Sequence, residues 1–428
     1  MSSTPKIAII GAGPAGLTLA RLLSVSKAKV EVTVFEADAS PASRQDQGGT
    51  LDLHTGTGLS AIRKCGLWDQ FSRFARYDGQ EMIMADKNGT VLVHLGVGKT
   101  TGDRPEIDRK DLKSMLLESL PPGTVRWSHR FKVATSQGLL CFDGREESEG
   151  PFDLIVGADG AWSSVRKALH QDKPTYAGVS GYELEIHSPS TACSKLNDMV
   201  GRGSYIGTSD AKMLNAQRMG DGHLKVRSWF LCLEGEAEET LNKYGKTGTL
   251  DIVRERYKEW DPEMTELLRQ AQVDTLRLWT LYELPVGSKW EHKKGLTMIG
   301  DAASLATPFS GEGVNKAMVD ALELAEMIEK SMDQSQGMTL DEAVICFEKQ
   351  MFPRSEKLQR LTMANKLAVF REDAPVGTIT AMLATLTSES SPLVKAIVGS
   401  APFLALVTFY FWMQVKTGWA IRKYWRRT

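Results

Sequence analysis

The turn Gly11-Ala12-Gly13-Pro14-Ala15-Gly16 constrains this chain more than any other stretch. It follows Ile7–Ile10, an apolar run too short for a helix, which reads as a buried parallel strand. Ala15–Leu23, apolar at Leu17, Leu19, Ala20 and Leu23, reads as a helix, and Val30–Phe35 as a second strand. Strand, glycine turn, helix and strand within about 30 residues make a βαβ unit. Gly11 permits the tight turn, Gly13 lets a pyrophosphate approach the backbone, and Gly16 lets helix and strand close up. The helix N-terminus then offers free N–H groups and its positive dipole end to phosphate. Glu36, ending the second strand, can accept both hydroxyls of a ribose and would repel a 2′-phosphate. The competing reading is a glycine-rich turn with a chance acid nearby; the strand before it and the helix after it weigh against that.

At 428 residues the chain is too long for one ordinary core, and two or three lobes are expected. A formal net charge of −1 gives no field that would gather nucleic acid or an anionic membrane. The cysteines Cys65, Cys141, Cys193, Cys232 and Cys346 form no CxxC pair, and their odd count argues against a disulfide framework. The histidines form no HExxH or Cys/His cluster, so no metal site is expected. The first apolar strand starts at Ile7, which leaves no room for a signal peptide and points to a reducing, cytoplasmic setting.

Further along, Asp86-Lys87-Asn88-Gly89 between apolar runs predicts a hairpin turn. Thr57–Cys65 and Asp111–Leu120 read as helices, and Phe152–Val156 as another buried strand. From Tyr176 to Leu233 strand-like runs dominate, broken by turns such as Gly220-Asp221-Gly222, and an antiparallel sheet is expected there. Thr249–Ala271 reads as one charged helix and Val273–Tyr282 as extended chain. Leu296–Ile299 reads as a buried strand, followed by an amphipathic helix from about Asn315 to Met332. Thr339-Leu340-Asp341-Glu342 is a capping box opening a long helix. The expected class is α/β: a discontinuous Rossmann-like dinucleotide-binding domain (residues 1–173 and 286–371), an antiparallel-sheet substrate domain (174–285) and C-terminal helices (372–428).

Two further stretches separate the candidate dinucleotides. One runs Asp153-Leu-Ile-Val-Gly157-Ala-Asp159-Gly160-Ala-Trp-Ser163-Ser-Val-Arg166. In the other, Thr297-Met-Ile-Gly300-Asp301 leads through Pro308-Phe-Ser-Gly311-Glu-Gly313-Val-Asn315 into a helix. Asp301 is placed to bind a polyol chain, and the N–H groups of Gly313, Val314 and Asn315 face a carbonyl that gains negative charge. A reduced flavin anion carries such charge at N1 and O2, so FAD is the expected cofactor.

These motifs resemble those of the single-component flavin monooxygenases related to p-hydroxybenzoate hydroxylase, and more closely the tetracycline-inactivating TetX-type enzymes. The resemblance includes Gly48-Gly49-Thr-Leu-Asp52-Leu-His54 and Arg104-Pro-Glu106-Ile-Asp108-Arg109-Lys-Asp111, and spans roughly residues 5–370. It implies that Glu36 binds the adenosine ribose. It further implies that Arg44, Gly49, Asp52, Arg109 and Asp301 contact FAD or shape the approach of the reductant, and that Pro308 lies over the flavin ring with Gly311 beside it. Arg109 also reads as a helix-cap ion pair. For the substrate the resemblance points to Glu183, Tyr205 and Phe309; Glu183 stands where the related enzymes have a glutamine, and Tyr205 where they have an arginine. FAD chemistry carries over; tetracycline as substrate does not.

The function implied is a monooxygenase using NAD(P)H as a transient reductant and O2 to hydroxylate, or insert oxygen into, an aromatic or polycyclic phenol or enol of secondary metabolism, through a flavin C4a-hydroperoxide. A flavin-dependent reductase without oxygen transfer, and a non-enzymatic flavoprotein redox sensor, remain as alternatives. No side chain is singled out as a general base. A monomer is the expected state. The C-terminal run Ala396–Val415 lies between Lys395 and Lys416, close to a membrane-spanning length of about 20 residues. Gly399, Ser400 and Pro402 interrupt it, which favours a helix bridging the domains over membrane contact.

Overall fold

A computed structural model of the chain describes residues 4–43, 48–95, 104–189, 194–333, 335, 337–375 and 377–378. The chain divides into two compact units: residues 1–75, 103–175 and 282–360, and residues 76–102, 176–281 and 361–428.

The first unit is built on five parallel strands in the order Leu296–Met298, Leu154–Gly157, Lys6–Ile10, Glu31–Phe35, Val125–Arg126. Ile7, Ile9, Val34 and Val156 are fully buried, as the run-like apolar pattern of a doubly covered parallel strand demands. The helix Pro14–Val25 packs against the helix Gly313–Met332. Leu17 and Leu19 on the first helix are inaccessible, as are Met318, Ala321 and Leu324 on the second. Each such leucine contributes about 1.5–3 kcal/mol by leaving water. Gly16 lets the first helix close on its own turn: a Cβ there would sit 2.0 Å from the Gly11 carbonyl oxygen.

The second unit carries a seven-stranded sheet ordered Gln272–Glu283, Thr175–Ile186, Leu224–Leu231, Lys212–Arg218, Ser204–Ser209, Met82–Ala85, Val91–Leu95. Its core is one face of this sheet against the helices Glu236–Arg256 and Pro262–Gln270, where Leu184, Leu214 and Val226 meet Leu250, Val253, Met264 and Leu267. Two local differences from the sequence reading have physical causes. The expected single helix over 249–271 is two, because Asp261 caps a new start at Pro262, its side chain accepting from the Glu263 N–H at 2.9 Å. The segment around Met82–Ala85 groups with the sheet unit rather than with the flanking dinucleotide-binding chain, since it pairs in parallel with Ser204–Ser209 (Tyr205 opposite Ile83). Among the described residues, no helix is long and apolar enough to cross a membrane. The run 396–415 lies outside the described residues.

Candidate functional site

The glycine turn is a cradle open on one side. Gly11 has φ +109°, and a Cβ there would strike the Ala158 carbonyl oxygen at 2.4 Å, so the turn presses against the end of the neighbouring strand. At Gly13 a Cβ would meet nothing within 4 Å. The helix that begins at Pro14 has no side-chain cap and no acid in its first turn, which leaves its positive end for an anion. Glu36 is buried at the end of its strand; one oxygen accepts from the Ala12 N–H at 2.6 Å and the other from the Asp38 N–H at 2.9 Å. Those bonds fix the carboxylate beside the turn, and a carboxylate has lone pairs left for a ribose.

The second helix start repeats the pattern. Pro308–Ser310 is a single tight turn ended by Gly311 at φ +71°, and Gly313–Met332 follows, again without a side-chain cap or an early acid. Gly311 and Gly313 both face open space. Val314 is buried, Pro308 is exposed and Phe309 is half-buried. Asp301 is exposed on the loop after the strand Leu296–Met298. Thr50–Asp52 pairs antiparallel with Glu106–Asp108, with Asp52 opposite Glu106. The Arg109 N–H donates to the Gly49 carbonyl at 3.2 Å, and the Arg109 side chain lies over Gly48, where a Cβ would be 2.6 Å from its Cδ. Arg44 lies outside the described residues.

The Asn315 side chain has a part that the sequence did not show. It is inaccessible and ties Asp52, His54 and Gly58 to the start of the Gly313 helix. Arg166 donates to the carbonyls of Ala161, Asp301 and Ala302 at 2.8–3.0 Å. It thereby clamps the Asp159-Gly160 turn to the Asp301 loop. Asp159 accepts from Ser163 Oγ and from the Ser164 N–H; burial pushes its carboxyl up against the pull of those bonds. A buried arginine at the end of an Asp-Gly…Ser motif was the signal available for this clamp.

In the sheet unit, Glu183 and Tyr205 part company. Glu183 pairs across the ladder with Arg227, Asn215 and Ile206 in turn, whereas Tyr205 pairs with Ala216, Val226 and Leu184. Paired residues share a face, so the two lie on opposite faces of the sheet. They cannot line one pocket together. Tyr205 is buried in the helix-covered core, beside a cavity of about 430 Å³ that Ile83, Met199 and Met264 also line. Glu183 is not the lone carboxylate the sequence suggested: Arg227 Nε donates to its Oε2 at 2.6 Å, and Arg227 also reaches Gln217 Oε1 at 3.3 Å. Its Oε1 has no hydrogen-bond partner, with Lys225 Nζ 3.9 Å away. Trp229 Nε1 donates to Asn215 Oδ1 on the same face at 3.2 Å.

Two open helix N-termini, glycines that leave room where a Cβ would stand, and a turn-anchored carboxylate define a dinucleotide-binding flavoprotein. The FAD binding domain family matches residues 4–344, and the chain belongs to it. It is 34% identical over 432 residues to the monooxygenase asqM of Emericella nidulans, across 86% of this chain and 96% of that one. Klebsiella pneumoniae HpxO complexed with FAD and uric acid superposes with a TM-score of 0.71 at 18% identity, covering 94% of this chain and 96% of that one. The tetracycline destructase Tet(51) gives 0.65 at 17%, covering 92% and 98%, a likeness of fold. The protein is an FAD-dependent monooxygenase, with NAD(P)H as reductant and with a small molecule and O2 as reactants.

Proposed function

We propose that this enzyme hydroxylates a neutral aromatic or polycyclic phenol or enol in secondary metabolism, and that Glu183 grips a donor group of that substrate. The observation that carries the substrate reading is Glu183 Oε1, buried on a sheet face without a hydrogen bond and with Lys225 Nζ no nearer than 3.9 Å, while the other oxygen is held by Arg227. A buried acceptor without a donor costs roughly 1–3 kcal/mol, which an O–H or N–H on a ligand would recover. Arg227 keeps the pair near neutrality, so the face favours a neutral donor over a free cation.

FAD, when bound, accepts electrons from NAD(P)H and activates O2. The chain's own work is binding, charge stabilisation and water exclusion. Gly11, Gly13 and Gly16 would admit the pyrophosphate, Glu36 the ribose and Asp301 the polyol chain. The N–H groups of Gly313, Val314 and Asn315 would stabilise negative charge at the flavin's pyrimidine edge, with Gly49, Asp52, Arg109, Pro308 and Gly311 around the ring and Phe309 toward the substrate. Arg44 belongs to this set by resemblance. We assign residues 1–173 and 286–371 to the FAD domain, apart from the Met82–Ala85 and Val91–Leu95 strands that join the other sheet, and 174–285 to the substrate domain, working as a monomer.

The test is turnover of a panel of phenolic polyketides with NAD(P)H under isotope-labelled O2. One labelled oxygen atom in an organic product is the expected result. Oxidised product without labelled oxygen would make the enzyme a dehydrogenase instead.

A further inference from the structure

Lys316 is the fourth residue of the Gly313 helix, and its ammonium is buried within the first unit. Its Nζ donates to the Gly300 carbonyl at 2.7 Å, the Ser304 carbonyl at 2.6 Å and Ser304 Oγ at 2.6 Å. An ammonium has three protons and no acceptor, so three acceptors satisfy its charged form. A neutral amine would turn a lone pair toward a carbonyl oxygen. Arg166 occupies the Asp301 and Ala302 carbonyls, and Asp320 Oδ2 accepts from the Gly300 N–H at 2.9 Å. The carbonyls of Gly300, Asp301, Ala302 and Ser304 thus all turn inward onto two cations, while the Asp301 side chain faces out.

Packing alone does not call for a charge here. Val314, Ala317, Met318 and Val319 around it are apolar and buried, and removing a cation from water costs several kcal/mol. A methionine would fill the space without that penalty, at the cost of the donor to the Gly300 and Ser304 oxygens. The position does suit a charge. The first turn of a helix already carries roughly half a unit of positive charge, and a full charge in low dielectric adds to it. Under the proposed function the flavin's pyrimidine edge would lie at this end of this helix.

We infer, resting on that reading, that Lys316 is a positioning residue for the cofactor: its ammonium fixes the Gly300–Ser304 loop that presents Asp301, and its charge favours the reduced, negatively charged form of the bound flavin. Burial pushes the Lys316 pKa below the ordinary lysine value, while Asp320 and Asp301 draw it back up.

The test measures FAD affinity and the midpoint potential of bound FAD in wild type, K316Q, K316R and K316M. K316Q keeps donors and removes the charge; its potential should fall, and FAD should bind about tenfold more weakly, the equivalent of one lost charged hydrogen bond. K316R should return the potential toward wild type. A K316Q potential equal to wild type overturns the inference. If K316Q does not fold, K316M decides: it fills the space with no charge, its potential should fall, and no fall overturns the inference. Failure of the flavin reading itself would look different, since wild-type protein would then retain no FAD to titrate.

Discussion

The Asn315 side-chain amide donates to the Asp52 carbonyl oxygen at 2.8 Å, joining residues 263 positions apart in the chain. The same amide's oxygen accepts from the His54 N–H at 2.8 Å, Thr57 Oγ1 at 3.2 Å and the Gly58 N–H at 3.3 Å. One inaccessible side chain therefore aligns the Thr50–Asp52 strand, the start of the helix Gly58–Lys64 and the open end of the Gly313 helix. The amide supplies from its two ends both the donor and the acceptor that this junction uses.

Asn315→Leu should therefore lower stability by about 2–4 kcal/mol, since the His54 and Gly58 N–H groups lose their partner in the interior. Asn315→Asp keeps the acceptor and should lose less. Urea unfolding of both variants, with flavin content measured on the same samples, checks the order. Equal stability of the leucine variant and wild type would refute the account.

Asp301→Ala removes the exposed carboxylate of the loop that Arg166 and Lys316 hold, and leaves those backbone bonds in place. The fold should survive while FAD binding weakens at least about tenfold, as for a charged hydrogen bond worth roughly 1.5–3 kcal/mol. Flavin absorbance of the purified variant reads this directly. Full retention of flavin would take Asp301 out of the site.

Glu183→Gln and Arg227→Gln test the buried pair. Each single change leaves a charge with a weaker partner, Glu183 with Lys225 at 3.9 Å or Arg227 with Gln217 at 3.3 Å, and each should cost about 1–3 kcal/mol. The double change should cost clearly less than their sum. Thermal unfolding of the four proteins gives the coupling. FAD content should be unchanged throughout, and the KM for a donor-bearing substrate should rise in Glu183→Gln. An unmoved KM would leave Glu183 as a structural ion pair.

The dinucleotide half was legible because glycine spacing, strand runs and helix starts are local signals. Gly11, Gly13, Gly16 and Glu36 lie together at one turn, within a single βαβ stretch. What was not legible depends on register. Glu183 and Tyr205 each sat in a good strand, and no local feature says which face each takes; a shift of one residue exchanges the faces. Arg227 was invisible as a partner for the same reason, being 44 residues from Glu183 and opposite it only through the ladder. Lys316 carried a faint signal, a lysine followed four residues later by Asp320 on an otherwise apolar helix face.

Acid should loosen the sheet unit in part through Glu81. Burial pushes its carboxyl up, but the Arg202 N–H at 2.7 Å and the His94 ring at 2.8 Å outweigh that and hold it below the ordinary value. The folded state then binds the proton less readily than the unfolded chain. The contribution is present above the ordinary carboxylate range and is lost as pH falls through the folded value. Glu185 shifts the same way, its burial outweighed by His187 and Lys225. Glu81→Gln should flatten the acid limb of a stability–pH curve and reduce stability at neutral pH by about 1 kcal/mol. A limb as steep as in wild type would remove Glu81 from the cause.

The parallel pairing of Met82–Ala85 with Ser204–Ser209 sets a schedule for the nascent chain. The hairpin formed with Val91–Leu95 is made early, yet the strand that closes its open edge starts at Ser204. At about 5–20 residues per second, that edge waits on the order of ten seconds before its partner leaves the ribosome. An unpaired edge is a template for the wrong strand. The Leu296–Met298 strand and the Gly313 helix are made later still, so the cofactor cradle is among the last features to be completed. Translation speed between the hairpin and Ser204, and cofactor supply afterwards, should govern how much of this enzyme reaches its native state.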